Sequence, residues 1–428
     1  MRVLEAAAAL PFFARRARRL DRVAAEVAPI LAAVRRRGDA ALLACARRFD
    51  GFTGDSVEIP RERMAEAPGR IAPELRRALR VSIANVARTA RSQRPRPRRL
   101  AGSDGVRLAE IVRPLDAVGA YVPSGRYPLP STVVMTAVPA RVAGVAEICV
   151  ASPKPDDAIL AAAAMSGATR LFAIGGAHAI AALAFGTETV PRVDRIVGPG
   201  NAYVAAAKRL LAGEVGIDFV AGPTEIAIVA AEGDPAWIAA DLLAQAEHDP
   251  DAAALLLTPS RRLAAAVAAE VDRQLATLPT APVARRALAR HGAIVLVRSL
   301  EEGVALANRI APEHLSLHDE RLLPLVRHAG TVFLGSWSAE AVGDYAAGPS
   351  HVLPTAGAAR RRGGLSAADF VKVIAVQRLA PRGLARLAGP VTALARAEGL
   401  EAHARSVEIR LDRPGRRATR AGRAGGRR

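Results

Sequence analysis

The chain has 428 residues, 51% of them hydrophobic and 24% charged, a globular composition that rules out wholesale disorder and, at roughly 150 residues per domain, predicts about two to four domains. Its 60 Lys+Arg against 41 Asp+Glu leave a net charge of +19, a surplus that raises the question of a nucleic-acid or anionic-membrane partner. Only three of those bases are lysine (Lys154, Lys208, Lys372), aromatic residues are 4%, and seven arginines between Arg413 and Arg428 stand without an acid; nucleic acid is therefore not expected as the main partner, and 413–428 reads as a disordered basic tail.

Residues 6–14 are the only apolar run near the N-terminus and lack a convincing cleavage site, so no secretory signal is expected. Helical periodicity follows over 23–37, over 39–48 with Asp39 as a candidate N-cap, and over 73–91, with breaks at Gly38 and at 51–54. Arg94-Pro-Arg-Pro-Arg-Arg99 cannot hold a helix and is the best linker candidate in the chain. From Val106 the texture changes to short β-branched runs at 116–122, 147–151, 170–174 and 194–197 alternating with helical patterns, which implies parallel βαβ units. The longest stretch free of charge, 171–187, is 17 residues and carries two adjacent glycines, too short to span a membrane. A second series sets strands at 225–229, 252–257, 293–297 and 331–334 among helices near 235–247, 261–278 and 300–310, and the rest mixes Gly/Pro-rich segments with helices near Ala367 and over 382–398.

The predicted architecture is thus α/β: two Rossmann-like domains with parallel sheets (101–222 and 223–338), a helical N-terminal segment with its linker (1–100), and a small C-terminal domain (339–412) ahead of the tail. Cys45 and Cys149 are far apart and form no CxxC pair, which speaks against a disulfide framework and for a reducing cytoplasm.

Two glycine-rich turns sit where a strand hands over to a helix, Ile174-Gly-Gly-Ala-His178 and Val197-Gly-Pro-Gly-Asn201. Such turns let phosphate oxygens approach backbone N–H groups at a helix start, yet neither completes a GxGxxG fingerprint, and alone each reads as an ordinary tight turn. Gln245 and His248 stand at i and i+3 on the helix that Asp234 would cap, so one face could offer two metal ligands, although a bare Gln-x-x-His is more often structural. Asp344 and His351 lie in a Gly/Pro-rich segment and His403 lies past Gly399, each an ordinary surface residue when taken singly. Glu313-His314 follows Pro312 at an element boundary, a plausible place for proton transfer.

Together these strings resemble the histidinol dehydrogenase family. The matching runs are Val118-Gly-Ala-Tyr-Val-Pro-Ser-Gly125 with Pro128-Leu-Pro-Ser-Thr132, Val193-Asp-Arg-Ile-Val-Gly-Pro-Gly-Asn-Ala-Tyr203, Ala221-Gly-Pro-Thr-Glu225, Ala239-Ala-Asp-Leu-Leu-Ala-Gln-Ala-Glu-His248, Ile310-Ala-Pro-Glu-His-Leu315 and Ala341-Val-Gly-Asp-Tyr-Ala-Ala-Gly-Pro-Ser-His-Val-Leu-Pro354, in the family's order and spanning about 20–411 with the weaker matches between. The resemblance implies zinc ligands at Gln245, His248, Asp344 and His403 and paired general bases at Glu313 and His314. It implies substrate contacts at Thr224, His314, His351 and Glu398 besides the metal-site residues, and cofactor contacts at Tyr121, His178 and Asn201. The implied reaction is the four-electron oxidation of L-histidinol to L-histidine with two NAD+ and one Zn2+ per subunit, through an aldehyde that is not released. The implied assembly is a homodimer whose C-terminal domain reaches into the partner's site. Relatives within the fold that oxidise other small polar alcohols are the alternative; His351 and Glu398 beside the full metal set favour histidinol. His178 stands where the family usually has Gln, Thr224 where Ser is usual, and Ser124 where Gly is usual.

Overall fold

The computed structural model describes residues 1–9, 20–100, 102–124, 127–220 and 222–412, so the basic stretch 413–428 lies outside the described residues. The chain divides into two compact units: Met1–Arg94 with Pro114–Phe370, and Pro95–Arg113 with the chain from Val371 onward. The partition runs differently from the boundaries read off the sequence, because 339–370 groups with the larger unit: Ser350 Oγ donates to the Met135 carbonyl at 3.2 Å and Leu115 N–H to the Phe370 carbonyl at 2.9 Å.

Strand β1 (Arg2–Glu5) opens the chain, and β2 (Arg98–Leu100) and β3 (Val106–Pro114) follow the N-terminal helices. Next, β4 (Ala117–Tyr121), β5 (Glu147–Ala151), β6 (Arg170–Phe172), β7 (Arg195–Val197) and β8 (Gly216–Ile217) form a parallel sheet in the order β6-β5-β4-β7-β8. Then β9 (Glu225–Val229), β10 (Ala253–Thr258), β11 (Ala293–Leu296), β12 (His314–Leu317) and β13 (Thr331–Leu334) form with β1 a second parallel sheet in the order β1-β11-β10-β9-β12-β13. The last strand, β14 (Val371–Leu379), joins β3 and β2 in the small unit's sheet. The α/β class with two parallel sheets is therefore present. Residues of β4, β9, β10, β11 and β12 are buried throughout, as strands covered on both faces require.

Each large sheet reverses direction once. In the first, β4, β5 and β6 run outward and β7 returns to the other side of β4; in the second, β9, β10 and β11 run outward and β12 returns to the other side of β9. Such switch points open crevices between the flanking connections. The N-terminal helix Leu20–Cys45 breaks at Gly38 (φ 49) as its glycine predicts, and Val27, Leu31 and Val34, spaced to share one face, pack in one cluster with Ile180, Leu183 and Ile196 under the first sheet. Burying each such side chain contributes about 1.5–3 kcal/mol.

Five elements that differ from expectation bear on the fold. β1 is a charged, largely exposed tetrapeptide made a strand only by pairing with Ala293–Leu296 at the sheet edge. β2 occupies the end of the linker candidate, since the two prolines forbid helix but not an edge strand. The helix expected near Ala367 is a 3₁₀ turn, Ala367–Phe370, followed by β14, a strand the sequence reading did not assign. β12 was hidden behind the proline-marked boundary before it. Among the described residues no helix is long and apolar enough to cross a membrane.

Candidate active site

The residues expected to carry the chemistry gather at the amino ends of β9 and β12, the pair flanking the second sheet's reversal. The helix Leu300–Ile310 ends on Ala311 in the left-handed region (φ 54), and Pro312 prevents its continuation, so Glu313 is placed directly before β12 and His314 opens it. Thr224 stands one residue before β9, whose register sets Ile226 beside His314. The Thr224 hydroxyl donates to Glu313 Oε2 at 2.5 Å, and the Glu225 N–H donates to the same oxygen at 3.0 Å. Burial raises the Glu313 carboxyl above its ordinary range, against the pull of His314, the Thr224 hydroxyl and the Glu225 N–H.

His314 is 3% exposed. Its Nδ1 lies 3.2 Å from the Glu225 carbonyl oxygen and 3.2 Å from Glu340 Oε1, while Nε2 lies 3.6 Å from Asp344 Oδ1. A carbonyl oxygen only accepts, so the hydrogen-bond network assigns a proton to Nδ1. Among the described residues Nε2 is buried and makes no hydrogen bond, which makes it the ring atom open to a reacting group. Burial disfavours the imidazolium, but Glu340, Glu313 and Asp344 outweigh it and hold the His314 pKa up at about 10; burial pushes Glu340 up to about 8. Burial also opposes ionisation of Asp344, yet His314, His351 and His248 around it keep its carboxyl below the usual range.

Gln245 is fully buried in the last turn of the helix Pro235–Ala246. With its amide turned, the nitrogen donates to Glu340 (Oε2 at 3.1 Å) and the oxygen accepts from Glu225 N–H at 3.3 Å and lies against Thr224 Oγ1, whose one proton goes to Glu313. His248, exposed just beyond that helix, is near enough to act on the charge of both Asp344 and His351. His351 has both ring nitrogens engaged, Nδ1 with the Asp344 carbonyl at 2.8 Å and Nε2 with the Thr132 hydroxyl at 3.1 Å, and burial lowers its pKa. Thus Thr224, Gln245, His248, Glu313, His314, Asp344 and His351 share one locality. Glu398 ends the helix Pro381–Ala397 and His403 lies in the first turn of Glu401–Leu411, both in the small unit.

Glu340 is a member that the sequence reading missed. The signal was its i,i+4 spacing from Asp344, which puts both acids on one face of the short helix Glu340–Tyr345. Three carboxylates, Glu313, Glu340 and Asp344, surround one imidazole, and donor atoms of His314, Glu340 and Asp344 lie within 4.8 Å of one another. That excess of oxygen and imidazole donors fits a divalent cation of the zinc type, and Asp344 is common to this cluster and the expected ligand set.

Tyr121, His178 and Asn201 meet at the carboxyl edge of the first sheet, around its reversal between β4 and β7. The Tyr121 hydroxyl accepts from Gly176 N–H at 3.1 Å, and burial raises its pKa to about 12. His178 Nε2 lies 2.8 Å from Asp50 Oδ2, which also accepts from Gly175 N–H at 3.0 Å. Asn201 Oδ1 accepts from Tyr203 N–H (3.0 Å) and Val204 N–H (3.1 Å), capping the helix Ala202–Leu211. The amides of Gly175, Gly176 and Gly198 are each satisfied by a side chain of the protein, so these turns hold side chains in place rather than presenting free amides to phosphate.

A sequence profile of histidinol dehydrogenase matches residues 13–411. The chain is 52% identical over 404 residues to the histidinol dehydrogenase of Thermus thermophilus, covering 93% of this chain and 97% of that one. It is 48% identical over 396 residues to that of Geobacter metallireducens, covering 90% and 91%. The crystal structure of histidinol dehydrogenase from Elizabethkingia anophelis superposes with a TM-score of 0.87 at 34% identity, over 92% of this chain and 93% of that one. The protein thus belongs to the histidinol dehydrogenase family of NAD-dependent oxidoreductases.

Proposed function

We propose that this protein oxidises L-histidinol to L-histidine in the cytoplasm, in two NAD+-linked steps with the aldehyde held in place, as the closing reaction of histidine biosynthesis. The observation that carries the reading is the buried Glu313-His314 pair, with one imidazole nitrogen that makes no hydrogen bond among the described residues and faces Asp344. Zn2+ held by Gln245, His248, Asp344 and His403 would supply a positive charge that binds and orients the substrate's nitrogen groups. NAD+ against Tyr121, His178 and Asn201 would supply the hydride acceptor.

The chain's own groups divide the proton work. His314, its Nδ1–H steadied by the Glu225 carbonyl and Glu340, takes the alcohol proton on Nε2 as hydride leaves the carbon, acting in the neutral form that a divalent cation beside the surrounding carboxylates would favour. Glu313, oriented by Thr224 and the Glu225 N–H, removes a proton from the water that adds to the aldehyde. His314 gives the proton it holds to the aldehyde oxygen as that water adds, which frees Nε2 to take a proton from the hydrate as the second hydride leaves and completes the acid. Thr224, His351 and Glu398 are assigned to the substrate.

The proposed assembly is a homodimer in which His403 and Glu398 serve the partner's site. The small unit supports this, since its Leu394 and Ile409 are 65% and 70% exposed and it buries few side chains of its own.

The deciding experiment follows NADH release from L-histidinol by the zinc-loaded protein, with histidine quantified and the assay repeated after chelation. Two NADH per histidine and loss of activity on chelation are expected. Absence of turnover by a zinc-loaded dimer would overturn the histidinol assignment in favour of another small polar alcohol.

A further inference from the structure

We propose that the buried ion pair Lys208–Asp218 is a positioning device for the cofactor turn Gly198–Asn201, setting the affinity for the dinucleotide without touching it. The inference rests on the reading that Asn201 faces NAD+. Lys208, one of three lysines in the chain, has a side chain 2% exposed, and the Asp218 side chain is 0% exposed. Removing two charges from water costs several kcal/mol per ion unless every donor and acceptor is used. Here the unused capacity goes to the turn: Lys208 Nζ is bonded to Asp218 Oδ1 and donates to the Gly198 carbonyl at 2.7 Å, while Asp218 Oδ2 accepts from Gly198 N–H at 2.8 Å and Oδ1 from Phe219 N–H at 2.6 Å. Both backbone polar groups of Gly198 are therefore held by one ion pair.

The geometry of Gly198 shows what that grip controls. Its φ is 109, and a Cβ there would come within 2.1 Å of the Tyr121 carbonyl oxygen, so the turn passes directly against the end of β4. Pro199 and Gly200 then lead to Asn201, so the grip on Gly198 sets how far Asn201 stands from Tyr121 at the sheet's switch point. The pair is walled in by the Phe219 ring, with Lys208 Nζ 6.0 Å from its centroid on one side of the contact set and the Arg362 guanidinium at 5.2 Å, while Arg362 also donates to the Asp218 carbonyl at 2.5 Å and to Asp369 Oδ1 at 2.8 Å. A buried pair is weak evidence for stability, because apolar residues of similar volume often serve as well; its distinctive product is fixed geometry.

The test is the double variant Lys208→Met/Asp218→Leu, which removes both charges together and so avoids a stranded buried ion. Lys208→Met alone leaves Asp218 unpaired and risks misfolding. The full zinc-loaded enzyme is compared with wild type after its fold is checked by circular dichroism and size. The expected result is a rise of about tenfold in KM for NAD+, with KM for L-histidinol within about twofold and kcat changed less than KM. Asn201→Ala, measured in parallel, should also raise KM for NAD+. A double variant with unchanged KM for NAD+ while Asn201→Ala raises it overturns the proposal, as does a uniform loss in kcat and both KM values, the mark of a structural role. If neither variant moves KM for NAD+, the cofactor reading of the turn falls and the proposal falls with it.

Discussion

The two large sheets present their proposed functional residues at opposite edges. On the first sheet, Tyr121, His178 and Asn201 stand at the carboxyl ends of the strands, where the helices Gly176–Phe185 and Ala202–Leu211 begin. On the second, Thr224, Glu313 and His314 stand at the amino ends, where the helices Pro235–Ala246 and Leu300–Ile310 finish, the first of them placing Gln245 and His248. In a βαβ unit these edges differ electrically, because helix N-termini carry partial positive charge and C-termini partial negative charge. An anionic dinucleotide suits the first edge, and a cation with proton-transfer groups suits the second. At the second edge the acids around His314 add to the negative helix ends and so call for a cation, whereas the first edge carries glycine turns and a capping Asn.

This contrast can be broken at either edge. The largest effect belongs to the amino edge: His314→Asn should lower kcat for both alcohol and aldehyde oxidation by about a thousandfold, and Glu313→Gln should slow mainly aldehyde oxidation, by about a hundredfold. Steady-state rates with each substrate separate the two, and equal losses in Glu313→Gln would remove its separate role. Glu340→Gln should come next, with kcat down by about tenfold to a hundredfold and zinc content as a second readout, because it loosens the Nδ1 side of His314.

At the carboxyl edge the effects are expected in binding and stability. Gly198→Ala forces a Cβ onto the Tyr121 carbonyl at a φ of 109, a strain of about 1–3 kcal/mol that thermal unfolding would register as a lowered Tm. His178→Gln is the mildest, changing KM for NAD+ by about threefold or less, because an amide NH can replace the ring donor that faces Asp50. A tenfold or larger change would show that the imidazole itself, rather than its bond to Asp50, sets cofactor affinity.

Much of the architecture was legible because long periodic or β-branched runs report burial directly. The strands 147–151, 225–229 and 331–334 and the helix 300–310 fall where the pattern put them. The helical break at Gly38 was equally legible, since a φ of 49 is glycine's own territory. β12 and β14 escaped for different reasons. β12 is four residues long and begins on His314 directly after Glu313, a pair that reads as an element end; β14 is largely exposed, so no buried pattern marks it. β1 exists only through its neighbour β11.

Local sequence thus determined the α/β class, the glycine turns and the place of Glu313-His314 at an element boundary, because these depend on burial periodicity and on short motifs read along the chain. Tertiary structure decided which of those groups meet. Residues 224, 245, 314, 340 and 344 are scattered over more than a hundred positions, and only the return of β12 to the side of β9 brings them together. It also decided which partners face Asp50, Glu340, Lys208 and Asp218, which carry no motif: a charged residue acquires its role from the partners that face it when water is excluded, and those partners are supplied by topology.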